Sequence, residues 1–127
     1  GTNNVLWTID HDAPDIASPL LTTTGRLYFH KGKSGQLSCV DAATGKPHYV
    51  AKRVEGVDST YGSPIEAGGH IYLTGRSGNI VVIKDSDELS VVSNNPMDEI
   101  LDATPAPVDN ELFIRGDQHL FCIANKK

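Results

Sequence analysis

The chain has 127 residues, 39% hydrophobic and 21% charged, with a net charge of −5. That length suits one domain with a modest core, and the composition excludes disordered and collagen-like classes. The acidic balance argues against a nucleic-acid partner, which calls for a basic stripe. The densest apolar run, "IVVI" at residues 80–83, falls far short of the roughly 20 residues that span a bilayer. Gly1 reads as the remnant of a cleaved tag on a trimmed chain.

From the amino end, "VLWTID" at residues 5–10 reads as a strand, and then a pattern starts that recurs. Three small-residue–proline steps, Ser18-Pro19, Ser63-Pro64 and Thr104-Pro105, each follow a small residue: Ala17, Gly62 and Ala103. After each comes an apolar triplet with an aromatic centre: Leu27-Tyr28-Phe29, Ile71-Tyr72-Leu73 and Leu112-Phe113-Ile114. A second apolar run follows in each, "LSCV", "IVVI" and "LFCI". The first two units add a further strand, "PHYVAKRV" and "ELSVVS". Glycine pairs and Ser-Gly steps between the runs read as hairpin turns.

No apolar period of 3.6 residues is long enough for a crossover helix, so the fold class is all-β with antiparallel meanders. The middle strands are apolar on both faces, so both faces must be covered. Sheets stacked face to face around an axis do this, and a repeat of about 40–50 residues matches one propeller blade. An immunoglobulin-like sandwich has no reason to repeat at this period, and a β-solenoid needs shorter, parallel coils. The chain therefore reads as a β-propeller fragment of about three four-stranded blades. Residues 1–14 supply the last strand of a preceding or shared blade, 15–56 and 57–97 are blades, and 98–127 give three strands of a final blade.

Cys39 and Cys122 lie in apolar runs and read as two buried thiols. A disulfide between them requires their strands to be neighbours. Neither has a Cys or His at metal-ligand spacing.

"CVDAATGKPHY" at residues 39–49 resembles the tryptophan-docking pattern of pyrroloquinoline-quinone-like (PQQ-like) propeller repeats. Asp41, Thr44 and Gly45 match, Cys39 takes the small-residue place, and Tyr49 stands where the family has tryptophan. "AATGK" makes a tight turn, and the aromatic returns to pack between blades, as Trp7 does in "VLWTID". The second repeat lacks the Thr-Gly and the aromatic. Quinone-binding relatives that this fold resembles use calcium, a catalytic aspartate and often an adjacent-cysteine disulfide. There is no Cys-Cys pair here, and three blades close no funnel, so no cofactor is expected. In this family an amino-terminal strand commonly completes the last blade, so the chain reads as the carboxyl-terminal part of a larger propeller. Two copies pairing as a homodimer would complete a six-bladed ring, each "VLWTID" finishing the other's last blade.

Carboxylates precede the first strand of each repeat: Asp12 and Asp15, Asp58, then Asp98, Glu99 and Asp102. The loops between second and third strands, on the same face, carry Lys31 and Lys33, Arg76 and Arg115. The plainer reading is that these charges pair with each other or solvate the rim. As binding residues on the loop face we single out Asp15, Tyr61, Asp102, Lys31, Arg76 and Arg115. The five histidines stand singly near turns, and "HDAPD" at 11–15 reads as a turn more readily than a cation site. No catalytic nucleophile, metal set or phosphate loop emerges. The expected role is a non-catalytic scaffold binding a protein, peptide or glycan. Its family implies a secreted or periplasmic bacterial protein. The alternatives are a piece of a quinone-dependent dehydrogenase and a propeller like the lipoprotein of outer-membrane protein assembly.

Overall fold

The computed structural model describes residues 4–124. They form three antiparallel sheets in chain order, and every strand pairs with its chain neighbour. The first sheet runs β1 (Leu20–Leu21), β2 (Arg26–His30), β3 (Leu37–Asp41) and β4 (Pro47–Lys52). The second runs β5 (Ile65–Ala67), β6 (His70–Gly75), β7 (Asn79–Lys84) and β8 (Val91–Pro96). The third has β9 (Ala106–Val108), β10 (Glu111–Arg115) and β11 (Leu120–Ala124). These successive meanders are the all-β propeller segment expected from the repeat.

Local chemistry sets the turns. Gly68 (φ 58°) and Gly69 (φ 79°) close the two-residue link from Ala67 to His70. Positive φ at both positions matches the right-handed strand twist, and glycine adopts it without a steric penalty. In the first sheet Asp41 Oδ1 accepts the amides of Ala43 at 2.8 Å and Thr44 at 3.2 Å. That side chain thereby shapes the turn into β4. Pro19, Pro64 and Pro105 stand just before the first strand of each sheet, where a missing N–H costs no ladder bond.

The doubly apolar strands have the expected cause. In the second sheet Ile71 pairs with Ile83 and Leu73 with Val81, so these four share one face. That face packs on Tyr28, Leu37, Cys39 and Tyr49 of the first sheet. Tyr72 and Ile80 belong to the opposite face, which packs on Leu112, Ile114 and Phe121 of the third sheet. The second sheet is thus the filling between two seams, and removing apolar area from water on both sides stabilises the stack.

Residues 5–10, expected as a strand, lie in no sheet. The segment has no neighbouring strand within the described residues, and it is held through the Trp7 side chain instead. Trp7 Nε1 donates to the Ala42 carbonyl at 3.0 Å. Its ring covers Gly45, where an added Cβ would sit 2.6 Å from Trp7 Cδ2. Gly45 also has φ 77°. Substituting Gly45→Ala should lose about 1–2 kcal/mol through the clash and the left-handed backbone. The single tryptophan reports the event directly, as a red-shifted fluorescence maximum at a lower denaturation midpoint.

Of the two thiols expected to be buried, one is. Cys39 is buried, and burial pushes its thiol up to about 11. Cys122 is exposed, because its face of the third sheet, opposite Leu112 and Ile114, packs on no other sheet among the described residues. Both are free, with the second sheet between their two sheets.

Candidate functional site

Antiparallel pairing sends the segments before β1, β5 and β9 to one end, together with the β2–β3, β6–β7 and β10–β11 loops. At this end Arg76 Nε donates to Asp102 Oδ1 at 2.7 Å, with both side chains about two-fifths exposed. The same guanidinium lies over the Tyr61 ring, 4.4 Å from its centroid. Tyr61, Arg76 and Asp102 therefore meet, drawn from the lead-in to β5, the β6–β7 loop and the lead-in to β9. Backbone bonds hold those three segments in register: the Arg76 amide donates to Ser59 at 2.9 Å and the Leu101 amide to Arg76 at 3.1 Å.

Lys31, in the β2–β3 loop, reaches the lead-in to β1, where Asp15 lies. Lys31 Nζ is 3.3 Å from Asp12 Oδ1, and His11 Nδ1 is 2.8 Å from Asp12 Oδ2. His11 above all holds the Asp12 carboxyl below its usual range; desolvation opposes it, and Lys31 adds to the lowering. Asp15 enters through its backbone, its amide donating to the Gly32 carbonyl at 3.2 Å. Arg115 is exposed and makes no ion pair among the described residues. In its neighbourhood Glu99 takes the amide of His119 at 2.8 Å and faces His119 Nδ1 at 2.7 Å.

One repeat feature had no visible signal beyond the shared hydroxyl. The Ser18 amide donates to Ser63 Oγ, and the Ser63 amide to Thr104 Oγ1, each at 2.8 Å. The residues before the first two prolines thus tie their units to the next.

At the opposite end the β7–β8 turn docks on the first sheet. Asp85 accepts Tyr28 Oη at 2.8 Å and the Thr24 hydroxyl, and Arg26 Nε donates to Asp87 at 2.8 Å. Burial works to raise the Asp85 carboxyl, but the Thr24 and Tyr28 hydroxyls outweigh it and hold the group below its usual range. Burial and that same bond drive the Tyr28 phenol upward. This polar cluster joins residues 57 to 61 positions apart. Asp85 follows its apolar run much as Asp41 follows "LSCV", the one cue the sequence carried.

A groove of about 370 Å³ opens between the second and third sheets. Tyr72, Val82, Ser93, Leu112 and Ile123 line it. Ser93 pairs with Val82 as Tyr49 pairs with Cys39. A serine therefore stands where the first seam carries a buried aromatic.

Comparison with known proteins is sparse. No family model and no curated protein matches the chain. Among solved structures the chain is similar to the crystal structure of BamB from Moraxella catarrhalis. The identity is 15%, the TM-score is 0.45, and the match covers 84% of this chain and 41% of that one.

Chemically, the loop-bearing end is a surface of paired charges and one half-buried aromatic. No group of three His, Cys, Asp or Glu side chains converges for a metal among the described residues. His30, at the end of β2, is fully buried, and neither ring nitrogen has a hydrogen-bond partner. Burial pushes its imidazole down to about 4, so it sits neutral in the fold.

Proposed function

We propose that the chain is a non-catalytic interaction module, part of a larger secreted or periplasmic propeller protein. Its loop-bearing end engages a partner protein or peptide through Tyr61, Arg76 and Asp102. The observation that carries this reading is the Arg76 guanidinium held between the Tyr61 ring at 4.4 Å and Asp102 at 2.7 Å. A clamped guanidinium over an aromatic face is already ordered, so binding loses little side-chain entropy there. Tyrosine and arginine are also the side chains most enriched at energetic centres of interfaces. The paired state of Asp12, Glu99 and Asp102 fits a surface better than a general base, which needs a proton to take from a substrate. The secreted or periplasmic setting and the larger parent rest on the sequence resemblance alone.

The test selects binders from a displayed peptide library on the 127-residue chain, then remeasures them on Tyr61→Ala and Arg76→Ala variants. Arg76→Ala should keep the fold, because removing an exposed ion pair costs only about 0–1 kcal/mol, and far-ultraviolet circular dichroism checks that Tyr61→Ala keeps it too. Binding should weaken by about tenfold or more. Binders indifferent to both substitutions contradict the assignment.

A further inference from the structure

The two seams of the stack share one register but are filled differently. In the first sheet Leu20 pairs with Tyr28, Tyr28 with Cys39 and Cys39 with Tyr49, a single row across four strands. In the second sheet the same row reads Ile65, Tyr72, Val82 and Ser93. Tyr49 is buried in the first seam and meets Tyr28 edge-on, with ring centroids 6.4 Å apart and planes at 62°. Tyr72 stands where Tyr28 does and is only partly buried, with a serine in place of its edge-on partner. The groove of about 370 Å³ lies at this point, with Val82 and Ser93 on one side and Leu112 and Ile123 on the other.

We propose that this groove binds a small molecule with one aromatic ring and a hydrogen-bond donor, of the phenol or indole class. A ring beside Ser93 restores the edge contact that Tyr28 and Tyr49 make, and it takes Val82, Leu112 and Ile123 out of water. The donor requirement comes from Asn95, which also lines the groove. Its Nδ2 donates to the Ile80 carbonyl at 3.2 Å and to Ser93 Oγ at 3.1 Å. A carbonyl only accepts, so the amide is fixed with its nitrogen on Ile80. Asn95 Oδ1 is left as an acceptor with no partner among the described residues.

The first seam shows that further chain leaves the ring's place alone. There the β7–β8 turn closes the same end through Asp85 and Asp87, and β8 lies beyond β7, while Tyr49 keeps its position in the seam. A turn and strand following β11 in that manner roof the groove without filling it, because the serine that opens it belongs to β8. The volume lies in the range of about 300–1,000 Å³ typical of small-molecule sites. Ala67, Gly68, Asp109 and Asn110 place the groove at the end opposite Tyr61, Arg76 and Asp102. The two sites therefore stand or fall independently.

Nuclear magnetic resonance titration of the 127-residue chain with p-cresol, the side chain of tyrosine as a free molecule, tests the proposal. Shifts at Tyr72, Val82, Leu112 and Ile123 should saturate together with one dissociation constant. The saturated analogue 4-methylcyclohexanol keeps the hydroxyl and loses the ring, so it should bind about 2–10-fold more weakly. Ser93→Tyr supplies the ring from within and should abolish p-cresol binding, whereas Ser93→Ala should keep it. Far-ultraviolet circular dichroism and Trp7 fluorescence check that the variants fold. Ile123→Phe, at a 40% exposed position on the opposite wall, narrows the groove independently and should also abolish binding. Shifts that grow without saturating overturn the proposal, as does equal binding of the two alcohols or undiminished binding by folded Ser93→Tyr. Capture of a blocked tyrosine tripeptide about tenfold more tightly than p-cresol would give the groove to a partner's side chain and overturn it equally.

Discussion

Replacing Leu73 with alanine lowers the unfolding free energy by about 3 kcal/mol, within the range of about 2–5 for such core truncations. Leu73 is fully buried on β6 and packs in the seam between the first and second sheets. Its neighbours Tyr28, Leu37 and Tyr49 come from strands fixed by their own ladders. They cannot collapse into the space, so the loss includes both the transfer of the side chain and the cavity left behind. A domain of this size has a total stability of about 5–15 kcal/mol, so one such change removes a large share. Chemical denaturation measures it. Val91→Ala, at a 51% exposed position on the outer strand β8, is the control and should stay within about 0.5 kcal/mol.

Acid destabilises the fold through His30 before the carboxylates titrate. The ring is fully buried with both nitrogens unpaired, and its folded value is pushed down to about 4, against 6.5 for the free side chain. Above 6.5 both states are neutral and His30 makes no pH-dependent contribution. As pH falls from 6.5 towards 4, the unfolded chain takes up a proton that the folded chain refuses, so stability drops. Below 4 both states are protonated and the loss levels off. The full loss is on the order of 3 kcal/mol. The lowered carboxyls of Asp12, Asp85 and Glu99 act in a lower window, losing their contribution only as pH falls below the ordinary carboxylate range. Denaturation midpoints between pH 7 and 4.5, compared with those of His30→Leu, separate the two effects. The leucine variant should be flat across that window and more stable at its acid end. An equal slope in both proteins would remove His30 from the account.

The sheets were legible because their signals are local. Glycine pairs, the small-residue–proline steps and doubly apolar runs each constrain a few neighbouring residues, and the repeat multiplied that information. Tyr49 as the packed aromatic followed from the same pattern, and it is buried in the first seam. Of the loop face, the carboxylates and cations were visible as a periodic set, but their partners were not. Arg76 reaches Asp102 across 26 positions, and Glu99 meets His119 across 20. Such pairings depend on how successive sheets are offset, which no local pattern encodes. The Asp85–Tyr28–Arg26 cluster stayed hidden for the same reason. Residues 5–10 pair with no strand among the described residues, because composition reports strand propensity, whereas pairing requires a neighbour. Cys122 was misread as buried because an apolar run says nothing about whether its sheet is covered.

The central claim is that the sheets stack in chain order, the second between the first and third. Nuclear Overhauser contacts between methyl and aromatic protons test it most directly. Ile83 and Leu73 should show cross-peaks to the Tyr28 and Tyr49 rings, and Ile80 to Leu112 and Ile114. Ile114 should show none to Phe29 or Val40 on the far face of the first sheet. Cross-peaks linking Ile114 to Phe29 or Val40 would describe a sandwich folded back on itself and contradict the stack.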